Sequence, residues 1–201
     1  MKQLSSKIFV VISALFLISC EGNSPTHDHP STMQKSAKRG VSFNFTNIQD
    51  LPLLSPAISW SYNWANDQNS TAALWFDTNE MDFCPMCWNG SYSAAKIRQY
   101  VQEHPNTKYL LGFNEPNLTD QCNMTPAQAA EQWPQVVALA RELNLKLISP
   151  AMNYGTLAGY HDPIKWLDEF FAQPNVSLDD IHAIAIHCYM ASPSAVKDYI
   201  K

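Results

Sequence analysis

The sequence predicts an α/β chain organised around a parallel sheet, and three observations point to it. Short apolar runs alternate with segments of helical spacing from residue 40 onward, the pattern of repeated βα units. The run from Tyr109 to Phe113 is continuously apolar, as expected of a strand buried on both faces of a parallel sheet. Thr125 followed by Pro126 supplies an N-cap hydroxyl and then a proline at the first helical position, opening a long helix.

Taken in order, the pattern predicts strands at 40–45, 58–63, 81–86, 108–114, 146–151 and 181–189, with helices at 94–103, 126–143 and 163–173 and another beginning near 194–201. Trp166 and Phe170, four apart in a helix, read as core, and Asp168 and Glu169 beside them as solvent-facing. No internal repeat and no membrane-spanning helix is evident. The chain has 201 residues, a formal net charge of −5 and 46% hydrophobic residues, which is ample for a packed core. Its mild acidity argues against a nucleic-acid partner and suits a neutral one.

The first 38 residues read differently. Lys2 and Lys7 give a positive start, and the apolar stretch from Ile8 to Ile18 is too short to span a bilayer. The segment Leu17-Ile-Ser-Cys20 resembles a bacterial lipobox. That resemblance implies a signal peptide over 1–19, lipid attachment at Cys20 and tethering to a membrane, hence an exported lipoprotein of the outer membrane or cell surface. Residues 20–38 are rich in Ser, Pro, Thr and His without apolar periodicity and read as a flexible tether. His27 and His29 fall in it and are expected to be solvated. The folded domain is expected over 39–201.

The most informative stretch is Lys108-Tyr-Leu-Leu-Gly-Phe-Asn-Glu-Pro-Asn117, where an apolar run ends in an amide, a carboxyl group and a proline. Pro116 has no N–H to donate and biases the residue before it toward extended geometry, so Asn114 and Glu115 belong at the strand's C-terminal tip. There Glu115 is placed for general acid/base work and Asn114 for a hydrogen bond to a sugar hydroxyl. The same residues also fit a plain surface turn. The other strand tips offer Asn44, Trp60 and Trp64, Trp88, Asn153 and Tyr154, then His187 and Tyr189, which share a strand face through the period of two. Aromatic rings stack on the C–H faces of pyranoses, although each tryptophan fits core packing as well. Trp88 is the preferred sugar platform. His187 also fits a core histidine bonded to backbone.

Gly112-Phe-Asn-Glu-Pro-Asn117 resembles the acid/base motif of the large clan of (β/α)8-barrel glycosidases. Within it the chain is similar to glycoside hydrolase family 128, whose members act on β-1,3-glucans. Further segments carry the likeness: Arg39-Gly-Val-Ser-Phe-Asn44, Ser59-Trp-Ser-Tyr-Asn-Trp64, Phe83-Cys-Pro-Met-Cys-Trp88, Ser149-Pro-Ala151, Trp166-Leu-Asp-Glu-Phe-Phe171 and Ile186-His-Cys-Tyr189. The resemblance implies a (β/α)8 TIM barrel with about six of its eight strands in this chain, since such a barrel needs about 250 residues. It implies β-glucan polysaccharide or oligosaccharide as partner and Glu115 as acid/base of a retaining mechanism. It also implies sugar contacts from Asn114, Trp60, Trp64, Trp88, His187 and Tyr189. A retaining glycosidase needs a second carboxylate as nucleophile. The family's lies on the seventh strand and nothing after Tyr189 matches, so the nucleophile is expected beyond Lys201 and this stretch alone is expected to be inactive.

Two other classes fit parts of the sequence. One is a noncatalytic surface protein that binds glucan through the aromatic groove. The other is a thiol redox protein built on Cys84-Pro-Met-Cys87. Export makes disulfides reasonable for Cys84, Cys87, Cys122 and Cys188, and Cys87–Cys122 is the favoured pairing because adjacent βα loops approach each other. A zinc site with His187 lacks the paired Cys-x-x-Cys spacing of a zinc ribbon, so no metal and no cofactor is expected.

Overall fold

Each predicted strand is realised as a short parallel ladder, and the ladders join in the order of the sequence. The computed structural model describes residues 8–11 and 35–200. Lys2, Lys7, Cys20, His27, His29 and the greater part of the expected signal and tether lie outside them. The strands are β1 (Ile8–Val11), β2 (Ser36–Ser42), β3 (Ile58–Tyr62), β4 (Asp82–Phe83), β5 (Tyr109–Leu110), β6 (Lys146–Leu147) and β7 (Ile184–His187). The helices are α1 (Leu51–Leu54), α2 (Ser70–Thr78), α3 (Ala94–Glu103), α4 (Pro126–Glu142), α5 (Pro163–Phe171) and α6 (Pro193–Tyr199).

Parallel pairing runs β2-β3-β4 and β5-β6, and single bridges close the gaps: Met86 to Leu111 joins β4 to β5, and Ile148 to Ala183 with Met152 to Ile186 joins β6 to β7. Six parallel strands in sequential order, with helices in the crossovers, form the arc of a β/α barrel. β1 pairs along β7 from Ile8 opposite Ile184 to Val11 opposite His187.

The core has three parts. One cluster contains Trp60 and Tyr62, Cys84 and Met86, Leu111, Ile148, Ala151, Ala183 and Ala185. Its period-two spacing marks one sheet face, and no helix contributes to it, so it fills the inside of the arc. The other two clusters lie between sheet and helices. Phe45, Leu51, Ala72, Phe76 and Phe83 pack α1 and α2 onto the first strands. Ile97, Leu110, Phe113, Trp133, Trp166 and Phe170 pack α3, α4 and α5 onto β5 and β6. In the latter, aromatic rings form a chain with centroids 5.4 Å apart for Phe113 and Trp133, 5.3 Å for Trp133 and Phe170, and 5.1 Å for Trp166 and Phe170. Trp166 Nε1 donates to the Met124 carbonyl at 2.9 Å, so its one polar atom is satisfied inside the core.

The capping chemistry of α4 matches its sequence. Thr125 Oγ1 accepts from Gln128 N–H and Gln128 Oε1 from Thr125 N–H, a complete capping box. Several expectations need correction. α1 and α2 were not predicted: α1 is too short for periodicity to show, and in α2 the buried Ala72, Ala73 and Phe76 flank an exposed Leu74, so no clean apolar stripe appears. β2 begins at Ser36 and takes in the end of the expected tether. The remaining ladders are shorter than predicted because the strand tips are held by isolated bridges. Asp168 is exposed as expected, but Glu169 is pinned by the Tyr160 hydroxyl, which donates to Oε2 at 2.8 Å.

The four cysteines in the described residues are unbonded and buried. The favoured Cys87–Cys122 bridge is therefore absent. Both residues instead act as small apolar fillers of the same core cluster, where burial pushes the Cys122 thiol up to about 12.

Candidate active site

Glu115 sits where β5 runs out, and three strand tips converge on it. Its N–H donates to the Ala151 carbonyl beyond β6 at 3.0 Å, and Asn114 N–H donates to the Trp88 carbonyl beyond β4 at 2.9 Å. Both residues are thus held by main-chain bonds to the neighbouring strands on either side. The expectation of extended geometry before Pro116 fails: Glu115 has φ +45, in the left-handed region. A non-glycine residue there costs on the order of 1–3 kcal/mol, and such strain persists only where the surroundings over-determine it. Here the chain must turn sharply at the tip. Leu118 N–H donates back to the Glu115 carbonyl at 3.0 Å and Met124 N–H to the Pro116 carbonyl at 2.8 Å.

The carboxyl group is buried, with 6% of the residue exposed. His187, at the end of β7 and 3% exposed, places Nδ1 2.8 Å from Glu115 Oε1. Asn153 Nδ2 donates to the same oxygen at 3.4 Å. Among the described residues both side-chain contacts fall on Oε1, which leaves Oε2 for a ligand. Asn153 is itself anchored: its carbonyl accepts from Asn117 Nδ2 at 2.7 Å, and its Oδ1 accepts from Tyr154 N–H at 2.8 Å. Asn117 is fully buried, and its carbonyl also accepts from the N–H groups of Thr156 and Leu157. The loop after β6 is therefore stapled beneath the carboxyl group.

Aromatic side chains rim this position. Tyr189 is exposed, stands edge-on to His187 with centroids 6.1 Å apart, and has its phenol held up to about 12, first by desolvation and then by Glu115 and Tyr62. The Tyr199 phenol is also raised to about 12, by desolvation and then by Tyr154, Cys188, Glu115 and Asp162. Its ring meets Tyr154 edge-on at 4.9 Å. Trp64 is exposed, adopts φ +60 and packs edge-on against Tyr62 at 5.3 Å.

Of the residues singled out in the sequence, Glu115, Asn114, Asn153, His187 and Tyr189 lie together in the structure. Trp88 is half-buried against the inner cluster and Trp64 lies on the rim. Trp60 is corrected: only 8% exposed, it fills the inside of the arc, and a Cβ at Gly40 would collide with its indole. Its position inside the strand rather than past its end decides this. Sequence reasoning missed Asn117, Gln121, Tyr62 and Tyr199; the partners of Asn117 and Tyr199 are distant in sequence. The Asn in Glu-Pro-Asn was the only available signal for Asn117. Among the described residues there is no cluster of three or more His, Cys, Asp or Glu able to hold a metal ion. No described helix is long and apolar enough to cross a membrane.

A buried carboxyl group at the C-terminal end of a parallel strand, clasped by side chains from the next two strands and rimmed with aromatic rings, defines a glycosidase-type α/β barrel protein. Comparison with known proteins agrees. The family model described as glycosyl hydrolase catalytic core matches residues 40–201. No curated protein matches. Among solved structures, a subgroup II endo-β-1,3-glucanase of family 128 from Pseudomonas viridiflava is 39% identical, with a TM-score of 0.74 over 83% of this chain and 67% of that one. Its counterpart from Sorangium cellulosum is 35% identical, with a TM-score of 0.62 over 74% of this chain and 59% of that one. A subgroup I endo-β-1,3-glucanase from Amycolatopsis mediterranei, in complex with laminaritriose and laminaribiose, is 28% identical, with a TM-score of 0.58 over 84% and 64%. The chain belongs to the glycosyl hydrolase catalytic core family and, within it, to glycoside hydrolase family 128. It spans about two thirds or less of the length of these relatives.

Proposed function

We propose that this chain carries the acid/base part of a β-1,3-glucan hydrolase site, with Glu115 as the proton donor and acceptor of a retaining mechanism. The observation that carries the reading is the one-sided clasp on Glu115, whose Oε1 is held by His187 and Asn153 while Oε2 carries no protein hydrogen bond among the described residues. With Nδ1–H of His187 donating to Oε1, the acidic proton resides on Oε2 and passes to the glycosidic oxygen as the C–O bond breaks. The same oxygen then takes the proton from the water that releases the glycosyl-enzyme intermediate. Desolvation at this strand tip strengthens each of these interactions relative to water.

The second carboxylate of a retaining pair stands about 5–5.5 Å from the acid. The residues bonded to Glu115 are His187 and Asn153, so the second carboxylate of the pair is not among its hydrogen-bond partners. Trp64, Trp88 and Tyr189 supply sugar-stacking faces around the site, and Asn114 a hydroxyl contact. The reading also includes export and a lipid anchor at Cys20, supported by the lipobox-like sequence.

The test is Glu115→Gln in the full-length protein, assayed on laminarin together with calorimetric binding of laminaritriose. Hydrolysis is expected to fall by about a hundredfold or more while binding stays within about threefold. Unchanged turnover would sink the assignment.

A further inference from the structure

We infer that Gln121 is a positioning residue: its side-chain oxygen fixes the amide of Asn114 so that Asn114 presents an acceptor, Oδ1, to a hydroxyl donor on the sugar bound beside Glu115. The inference rests on the glucan reading above for the identity of the ligand.

Asn114 is 2% exposed, and its Nδ2 donates to Gln121 Oε1 at 3.0 Å. Its Oδ1 is buried and has no hydrogen-bond partner among the described residues. A buried polar atom left without a partner is destabilising and rare enough in native structures to require an explanation. Next to a carboxyl group with one oxygen free, the explanation is a ligand O–H that completes the amide's bonding.

An amide has two faces of opposite character, and what sits on one decides what is offered on the other. With Gln121 Oε1 accepting from Nδ2, the Asn114 oxygen is turned away from Gln121. Were Gln121 to rotate, its Nε2 would donate to Asn114 Oδ1 and the site would present N–H donors instead. Gln121 is well placed to set this choice because its loop is laced onto the strand tip. Gln121 N–H donates to the Leu118 carbonyl at 3.3 Å, and Cys122 N–H to the Asn114 carbonyl at 3.3 Å. Cys122 and Met124 then bury themselves in the core cluster that also holds Phe113. The side chain that orients Asn114 is thus carried on backbone bonded to Asn114 itself.

The experiment compares the full-length protein with Gln121→Met and Gln121→Glu, reading hydrogen exchange of the Asn114 side-chain amide by NMR and the affinity for laminaritriose by calorimetry. Methionine keeps the volume and removes the acceptor. Glutamate keeps the acceptor and, when ionised, cannot donate, so it permits only the arrangement seen here. Gln121→Met is expected to accelerate Asn114 amide exchange and weaken laminaritriose binding, each about tenfold, with Gln121→Glu within about threefold of the parent in both. Unchanged exchange in Gln121→Met, or Gln121→Glu behaving like Gln121→Met, would overturn the inference. A parent protein that fails to bind laminaritriose would refute the glucan reading instead, and the exchange rates alone would then decide the positioning role. If Gln121→Met does not fold, Gln121→Glu decides by the same two readouts.

Discussion

Gly112 is the position where a single methyl group should do the most damage to both fold and site. It lies just past β5, two residues before Asn114. A Cβ built there meets the Ile148 carbonyl oxygen at 2.8 Å, a Trp133 ring carbon at 2.9 Å and the Pro150 nitrogen at 3.0 Å. Ordinary contacts of this kind sit near 3.5–4 Å, so the sheet must open by about half an ångström. Two of the three obstacles are backbone of the adjacent strand segment, and the third is a fully buried indole, so none can swing away. Overpacking of this type costs about 1–3 kcal/mol, and the entropy lost by the unfolded chain returns about 0.4–1 kcal/mol. A net loss of about 1–2 kcal/mol follows for Gly112→Ala, or about 2–8 °C in Tm for a domain of this size. The same opening moves Glu115 relative to Ala151 and His187, so laminarin hydrolysis by the full-length protein should fall by about tenfold or more, because geometry at the reacting atoms is far less forgiving than packing. Thermal unfolding and kcat/KM measured on one preparation check both. A Tm equal to or above the parent's would refute the close-packing argument at this strand.

The remaining predictions concern buried polar groups. His187→Ala removes the 2.8 Å partner of a buried carboxyl group, so urea unfolding should show a loss of about 1–3 kcal/mol and hydrolysis should fall with it; stability within error of the parent would argue against the clasp. Burial raises the Cys84 and Cys122 thiols from 9.0 to about 12. Their protonated state is shared by folded and unfolded chains below pH 9; between about 9 and 12 only unfolded chains ionise, so stability is lost as pH rises through that window. The urea midpoint should therefore drop between pH 8 and pH 10.5, while alkylation mapped by peptide mass should spare Cys84, Cys87 and Cys122 in the native protein at pH 8. A linked Cys87–Cys122 peptide under non-reducing conditions would contradict the unbonded thiols.

Much of the architecture is local information. The alternation of apolar runs and helical spacing is written in consecutive residues, and α3, α4 and α5 begin at the predicted residues because their caps are local chemistry: Ser93, Thr125 and Asp162 each accept from the first turn. α2 escaped because its burial is shared between two sides rather than gathered into a stripe. The proline after Glu115 correctly marked the strand's end, but the left-handed φ of Glu115 overrode its local preference. That turn is imposed by the Ala151 carbonyl and the returning loop, neither of which is sequence-adjacent.

The sequence by itself determined the parallel α/β order and the strand that carries Glu115, because periodicity and proline act within a few residues; β7 ends at His187, so Tyr189 meets His187 from beyond the strand. Only the tertiary structure decided that Trp60 fills the interior and not the cleft, that Cys87 and Cys122 remain unbonded, and that Asn117 and Gln121 belong to the site. Those outcomes depend on which strand tips meet across the sheet, and contacts made over separations such as the 72 residues between Glu115 and His187 leave no periodic trace in either segment.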